Sequence, residues 1–314
     1  MSGGRLPVTI VRACLRDGAG GSPTAVLDEA PLSDEERRRV AAATGTSHAV
    51  FVSVPPDRGA RAAPGGPEVG LRFFTAEGEL PACGHGTVAA LAYLAARDGT
   101  AETSGHRARL RTAGRVFDGR CVRRGGRLMA DFDPGPVNLR EPAAAESGLV
   151  LSALGIGADE LASAPRAASV GRWRLLVPVR SRGALAALAP DPGQLREACD
   201  RLGLLGCYAY SPPSPSGRLA ARMFAPSIGV PEDIANANST ACLAAHLAGR
   251  GAADLTVDMG DRLGAPATIT ATAHPAPAGS TGPVGPVVRV GGFAEVPGSV
   301  HLFEVPGGSD APDR

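Results

Sequence analysis

The run from Arg72 to Ala96, RFFTAEGELPACGHGTVAALAYLAA, constrains this chain more than any other part of it. An extended, aromatic-containing segment reaches a Gly-rich turn that holds Cys83 and His85, and the turn opens into a helix predicted over Thr87 to Ala96. No face of that helix is polar, so it has to be buried all round. In a soluble protein the simplest burial is a sheet wrapped around the helix. The polar residues of the turn are then the groups left at the mouth of the wrap, and chemistry is expected there.

The 314 residues suit one large domain or two of about 150 residues each. A hydrophobic content of 44% supports a packed core, and a formal charge of +1 implies no broad electrostatic partner. A nucleic-acid binder would carry a basic face, whereas here Arg is scattered among nearly equal acids. No apolar run reaches the roughly 18 residues of a membrane span. The start, MSGGRLPVTIVRAC, lacks the apolar stretch of a secretory signal, which makes the cytoplasm the expected compartment. Six cysteines include no CxxC pair, which argues against a zinc site or a redox motif. The sequence contains no lysine. That excludes a Schiff-base lysine and a phosphate-loop lysine.

Along the chain, residues 7–14 read as a strand and Ala25 to Leu27 as the start of another. Ser33 and Glu36 make a capping box for a helix that stops at Gly45. Thr46 to Val54 alternates into a strand with His48 at its start, and Pro55 to Pro67 is a Pro/Gly loop. His106 to Phe132 reads as a strand meander turning at Gly125-Gly126. The Arg123, Arg124 and Arg127 cluster there is a solvated edge. Glu141 to Ser147 reads as a linker, and Leu149 to Leu154 as a short helical piece. A strand follows at Trp173 to Val179, and Asp191-Pro192 starts a helix that Gly203 ends. Further strands fall near 204–210, 218–225 and 288–303, with a loop at 275–287 and a frayed last ten residues.

The plan of the opening run returns 150 residues later, from Arg72 to Arg222, in RMFAPSIGVPEDIANANSTACLAA. Both segments place Arg-x-Phe on a strand, a Pro nine residues after the Arg, a polar turn and an apolar helix; the second helix is predicted over Asn238 to Ala248. Two barrels, each wrapped on its own helix, would set the two turns facing each other across a cleft. Each helix N-terminus carries unpaired N–H groups and roughly half a positive charge. Two of them in one cleft suit a small carboxylate. Cys83, His85 and Thr87 stand at one turn, and Asp233, Asn236 and Asn238 at the other.

These segments resemble those of the PhzF-like family, the phenazine-biosynthesis isomerases within the diaminopimelate epimerase fold. The pattern R-x-F-T-P-x-x-E-x-P-x-C/A-G-H is matched by Arg72, Phe74, Thr75, Glu79, Pro81, Cys83, Gly84 and His85. The pattern R-x-F-x-P-x-x-G-x-x-E-D-x-A-T-G-S/N is matched by Arg222, Phe224, Pro226, Gly229, Glu232, Asp233 and Ala235. Gly21-Ser22-Pro23 stands where the family has G-N-P, and Trp173 to Val179 and Gly291 to Leu302 resemble two of its strands. The resemblance implies an α+β fold of two pseudo-symmetric halves, each a β-barrel around a central buried helix. Residues 1–135, with closing strands from about 291–305, would form one half and 136–290 the other. A site between the halves, no cofactor, no metal and a homodimer are implied as well.

The departures bear on function. Where the family carries its acid/base Glu, this chain has Ser47-His48-Ala49-Val50-Phe51-Val52. The T-G-S of the second turn is Asn236-Ala237-Asn238, and Gly264-Ala265-Pro266 lacks an Arg of the family pattern. His48 is either the replacement base, with an ordinary pKa near 6.5 that suits neutral pH, or a space-filling remnant. His85 sits where a helix dipole disfavours the imidazolium, which suggests a neutral ring facing substrate. Asp233 is read as a substrate-facing acceptor, and Asn238 as a substrate contact or a cap. A lone thiol cannot run two-base racemisation, which favours Cys83 as a packed small residue. His106, His246, His274 and His301 show no metal-ligand spacing.

The leading expectation is a cofactor-independent isomerase that shifts a proton and a double bond in a small unsaturated, possibly cyclic, carboxylic or imino acid. Its setting would be secondary metabolism. His48, His85 and Asp233 would be catalytic, and Ser22, Cys83, Gly84, Gly86, Thr87, Asn236, Ala237 and Asn238 would contact substrate. An epimerase or racemase of a small amino or imino acid, and a non-catalytic carboxylate binder, are the alternatives. Neither nucleic acid nor membrane is an expected partner.

Overall fold

The computed structural model describes residues 5–55, 66–99, 105–275 and 285–304. The first half of the chain forms β1 (Arg5–Leu15), β2 (Ser22–Asp28), α1 (Asp34–Ala43), β3 (His48–Ser53), β4 (Glu68–Phe74), β5 (Glu79–Leu80), α2 (Gly84–Asp98), β6 (His106–Thr112), β7 (Arg115–Arg124) and β8 (Arg127–Phe132). The second forms β9 (Asn138–Arg140), α3 (Ala144–Leu154), β10 (Arg166–Val170), β11 (Arg172–Pro178), α4 (Arg182–Ala187), α5 (Pro192–Leu202), β12 (Leu204–Tyr210), β13 (Arg218–Ala225), β14 (Val230–Asp233) and α6 (Ala237–Ala248). The chain then adds β15 (Asp254–Met259), β16 (Ala267–His274), β17 (Val287–Glu295) and β18 (His301–Glu304). This is a mixed α and β architecture built on one large hydrogen-bonded sheet.

The two apolar helices organise it. Residues Gly84 to Ala92 of α2 are all buried, as are Ala237 to Leu247 of α6. Their many Ala and Gly side chains let strands approach closely on every side, which a helix of bulky residues would prevent. Pairings run β1–β2–β3–β4–β6–β7–β8–β17 and return to β1, a closed circuit. Most of these strands touch α2 directly. Around α6 the pairings run from β9 through β10, β11, β12, β13, β15 and β16 to β17. Among the described residues no ladder joins β9 back to β17, so this wrap is open at that edge. β17 serves both circuits.

The repeated Arg-x-Phe has a structural account. Residues two apart share a strand face, and the Arg72 guanidinium lies 5.0 Å from the Phe74 ring centre while that of Arg222 lies 4.8 Å from Phe224. Each Arg then forks onto the Glu of its own turn, Arg72 to Glu79 at 2.9 and 2.7 Å, and Arg222 to Glu232 at 2.8 and 2.8 Å. The motif braces the strand that delivers each polar turn.

Several local expectations need correction. α2 starts at Gly84 rather than Thr87, with Cys83 as its N-cap, so Gly84, His85 and Gly86 belong to the first helical turn. The expected linker at Glu141 to Ser147 is helical from Ala144. Glu146 accepts from the Ala143 backbone N–H at 2.7 Å and from the Arg140 guanidinium at 2.7 and 2.6 Å, which fixes the first turn. The Ser33–Glu36 capping box and the Asp191 and Gly203 ends of α5 are present as predicted. The expected loops at 55–67 and 275–287 fall mostly on residues 56–65 and 276–284, and the frayed end on 305–314; these lie outside the described residues.

Candidate active site

The N-termini of α2 and α6 meet. A Cβ placed on Gly84 would lie 2.7 Å from the Ala237 Cβ and 2.9 Å from the Asn238 amide nitrogen, so only glycine permits this approach. His85 crosses the junction: its Nδ1 lies 2.7 Å from the Ala235 carbonyl oxygen. A carbonyl only accepts, so Nδ1 carries a proton and donates, leaving Nε2 facing the Cys83 Sγ at 3.5 Å. Asp233, at the end of β14, places Oδ2 3.9 Å from His85 Nδ1. Its other oxygen contacts come from the Ala235 backbone N–H at 3.4 Å and Asn236 Nδ2 at 2.9 Å. Asn236 also accepts from the Ser239 backbone N–H at 2.9 Å and so caps α6.

His48 opens β3, opposite Thr24 of the parallel β2. Its Nδ1 lies 2.9 Å from the Ser47 hydroxyl, and its ring meets the His85 ring edge-on with centroids 4.4 Å apart. Both imidazoles are buried, at 2% and 1% exposure. Their charge states diverge. Burial, and then the neighbouring His85 charge, hold the His48 pKa well below 6.5, so His48 is neutral. At His85 burial also opposes the charge. The Cys83 sulfur, the Asp233 carboxylate and the hydrogen bonds His85 makes to Cys83 and to the Ala235 carbonyl outweigh it and push the pKa up to about 10. The expectation of a neutral His85, argued from the helix dipole alone, is overturned by these acceptors. These neighbours favour the imidazolium at His85.

One cavity holds the expected residues His48, Cys83, Gly84, His85, Asp233, Asn236 and Asn238. The other four lie in the packing around it. The Thr87 hydroxyl donates to the Cys83 carbonyl at 2.8 Å. Gly86 presses against Cys83, Val50 and Phe73, and Ala237 against Gly84. Ser22 is fully buried at the start of β2 with no partner for its hydroxyl among the described residues. Sequence reading missed two cavity residues, Arg172 and Arg174, and the apolar wall of Leu80, Val170, Leu205 and Ile228. It also missed Cys14, whose backbone adopts φ 63 at a bulge between β1 and β17. Burial first, then Asp233 and Cys83, hold the Cys14 thiol protonated. Its left-handed backbone was the detectable oddity, and no sequence pattern announces it.

His48, Cys83 and His85 also bring their donor atoms within 4.8 Å of one another, a grouping that sequence spacing could not show. Zinc bonds of about 2.0 Å to nitrogen and 2.3 Å to sulfur set tetrahedral ligands about 3.5 Å apart, the separation that Cys83 Sγ and His85 Nε2 already have. Coordination would require His85 to give up its proton. As the trio stands, Cys83 and His85 are in hydrogen-bond contact and His48 meets the His85 ring edge-on. What it can do is remove a proton with one imidazole and polarise with the other, next to two helix ends that favour an anion.

The model of the phenazine biosynthesis-like (PhzC-PhzF) family matches residues 13–296. An uncharacterised isomerase of Deinococcus radiodurans is 31% identical over 272 residues, covering 80% of this chain and 81% of the relative. The trans-2,3-dihydro-3-hydroxyanthranilate isomerase of Pseudomonas aeruginosa is 30% identical over 249 residues, covering 76% and 78%. Among solved structures, a PhzF-family phenazine biosynthesis protein of Bacillus anthracis superposes with a TM-score of 0.76 at 18% identity over 96% of this chain and 99% of that one. A hydroxyproline epimerase of Agrobacterium vitis superposes with a TM-score of 0.62 at 13% identity over 97% and 92%. The last two show a shared fold. With a match across most of its length, the chain belongs to the phenazine biosynthesis-like family and is a PhzF-like isomerase.

Proposed function

We propose that this isomerase moves a proton, and with it a double bond, within a small unsaturated carboxylic or imino acid, without a cofactor. The single observation behind the reading is the contact between a neutral His48 and a charged His85 in one buried cleft. Two titratable neighbours with pKa values pushed apart divide into a base and an acid. His48, oriented by Ser47, takes the proton as a substrate C–H bond breaks. The electron pair moves into the conjugated system, and the same imidazole returns the proton at a second carbon as the double bond settles in its new position. His85, held by Asp233 and the Ala235 carbonyl, donates to the substrate oxygen on which charge develops. The α2 and α6 N-termini hold the carboxylate. Two half-domains divided near residue 135, a cytoplasmic homodimer and a role in secondary metabolism complete the reading; these rest on the family resemblance.

The named relative suggests the first substrate to try, trans-2,3-dihydro-3-hydroxyanthranilate. Incubated in D₂O and followed by NMR, it should gain one deuterium at the carbon that becomes saturated, with its double bond moved. Deuterium at an unmoved α-carbon with scrambled stereochemistry, in that substrate or in a cyclic amino acid, would instead identify an epimerase.

A further inference from the structure

Alternation along β11 turns Leu175 and Val177 toward the cluster under α3 and α5, and Leu176 toward the core around α6. Arg174 shares the Leu176 side and is 2% exposed, which makes it the largest fully buried side chain among the described residues. Its Nη1 donates to the Ser239 hydroxyl at 3.0 Å and its Nη2 to the Arg172 carbonyl at 2.9 Å, while its Nε has no partner. Among the described residues no carboxylate lies within ion-pair distance of it. A buried, uncompensated guanidinium is strongly disfavoured. Ser239 makes this sharper, because it lies in the first turn of α6 and brings the cation to the positive end of that helix. Two like-signed features side by side in a buried place oppose each other, and an anion between them relieves both. Arg174 lines the same cavity as His48, His85 and Asn238.

We infer that Arg174 is the charged anchor of the substrate carboxylate, receiving it against the α6 N-terminus with Ser239 holding the guanidinium in place. A planar guanidinium suits a planar carboxylate through two parallel N–H···O bonds. The assignment rests on the carboxylate reading of the cleft and adds a residue, a charge requirement and a location to it. An amide or ester of the same skeleton lacks the charge and is rejected.

The test is a thermal-shift titration of the full chain with formate, acrylate, anthranilate and, as the uncharged control, anthranilamide. Wild type, Arg174→Met and Arg174→Lys are compared. Carboxylates should stabilise wild type and anthranilamide should not. Arg174→Met should weaken anthranilate binding about 10- to 100-fold, the loss expected for a charge-assisted hydrogen-bonded contact, and Arg174→Lys should restore part of it. Without ligand, Arg174→Met should melt at least as high as wild type, because it removes an uncompensated buried charge. Equal carboxylate affinity in wild type and Arg174→Met overturns the anchor while leaving the carboxylate cleft intact. So does a lower melting point of the unliganded variant, which marks a merely structural Arg174. No response of wild type to any of the carboxylates overturns both.

Discussion

His48 and His85 meet edge to face, with ring centroids 4.4 Å apart and planes at 86°, and their pKa values are driven in opposite directions. The relationship is asymmetric because only His85 has a carboxylate and a backbone carbonyl beside it. His85 donates to the Ala235 carbonyl at 2.7 Å and has the Asp233 carboxylate at 3.9 Å, whereas His48 has a hydroxyl at 2.9 Å and the neighbouring imidazolium. Once His85 is charged, a second charge on His48 is suppressed. A base and an acid result from two identical side chains.

The pH dependence of kcat/KM should therefore be broad. His48 has to be neutral, and its pKa lies well below 6.5, so activity falls on the acid side only as pH drops through that lowered value. His85 has to be charged, and activity falls on the alkaline side as pH rises through about 10. A rate profile recorded across this range checks both limbs. An acid limb at or above 6.5 would contradict the assignment of His48, and an alkaline limb near neutrality that of His85.

Gly84→Ala should damage stability and activity together. The added Cβ would meet Ala237 and the Asn238 backbone at 2.7 and 2.9 Å, so the two helix ends must separate. Overpacking of this kind costs about 1–3 kcal/mol, readable by chemical denaturation. Gly78→Ala, where an added Cβ meets nothing within 4 Å, is the control.

The two copies of the Arg–Glu brace should differ in weight. The side chains of Arg222 and Glu232 are 10% and 13% exposed, whereas those of Arg72 and Glu79 are 35% and 34% exposed. Arg222 also donates to the Leu185 and Leu188 carbonyls at 3.1 and 2.6 Å, which ties down α4. Arg222→Ala should cost about 3–5 kcal/mol, as for breaking a buried pair. Arg72→Ala should cost about 1 kcal/mol or less, as for an exposed one. Urea unfolding midpoints of the two variants check the order.

Dialysis against EDTA should leave kcat unchanged, because the histidine and cysteine donors are arranged to exchange protons rather than to coordinate. Loss of activity that returns on adding a single divalent metal would show that the trio works as ligands.

Much of this fold was legible because its two central helices carry apolar residues on every face, and because caps such as Ser33 with Glu36 and Asp191 with Gly203 are local chemistry. The repeated turn also located the cleft. The charge of His85 was not legible, since it depends on how the Cys83 sulfur is turned onto the ring and on Asp233 and the Ala235 carbonyl, which stand some 150 residues away in the chain. Gly86, Thr87 and Ala237 were drawn into the predicted site by neighbourhood in sequence, and one turn of helix is enough to rotate a residue from a cavity into packing; Ser22 entered it through the family's G-N-P pattern and stands at the start of β2. Arg174 was missed for the opposite reason. It interrupts an apolar strand, Trp173 to Val179, that reads as core, and in a chain whose basic residues are all Arg nothing marks it out.

The most direct test of the central claim is single-turnover isomerisation by His48→Gln in D₂O, alongside anthranilate binding by the same variant. A positioned base supplies about 10² to 10⁴ in rate. The variant should therefore lose that factor in turnover and in deuterium incorporation while still binding the carboxylate. Turnover and deuterium uptake at the wild-type rate would show that the proton travels by another route, and that His48 is not the base.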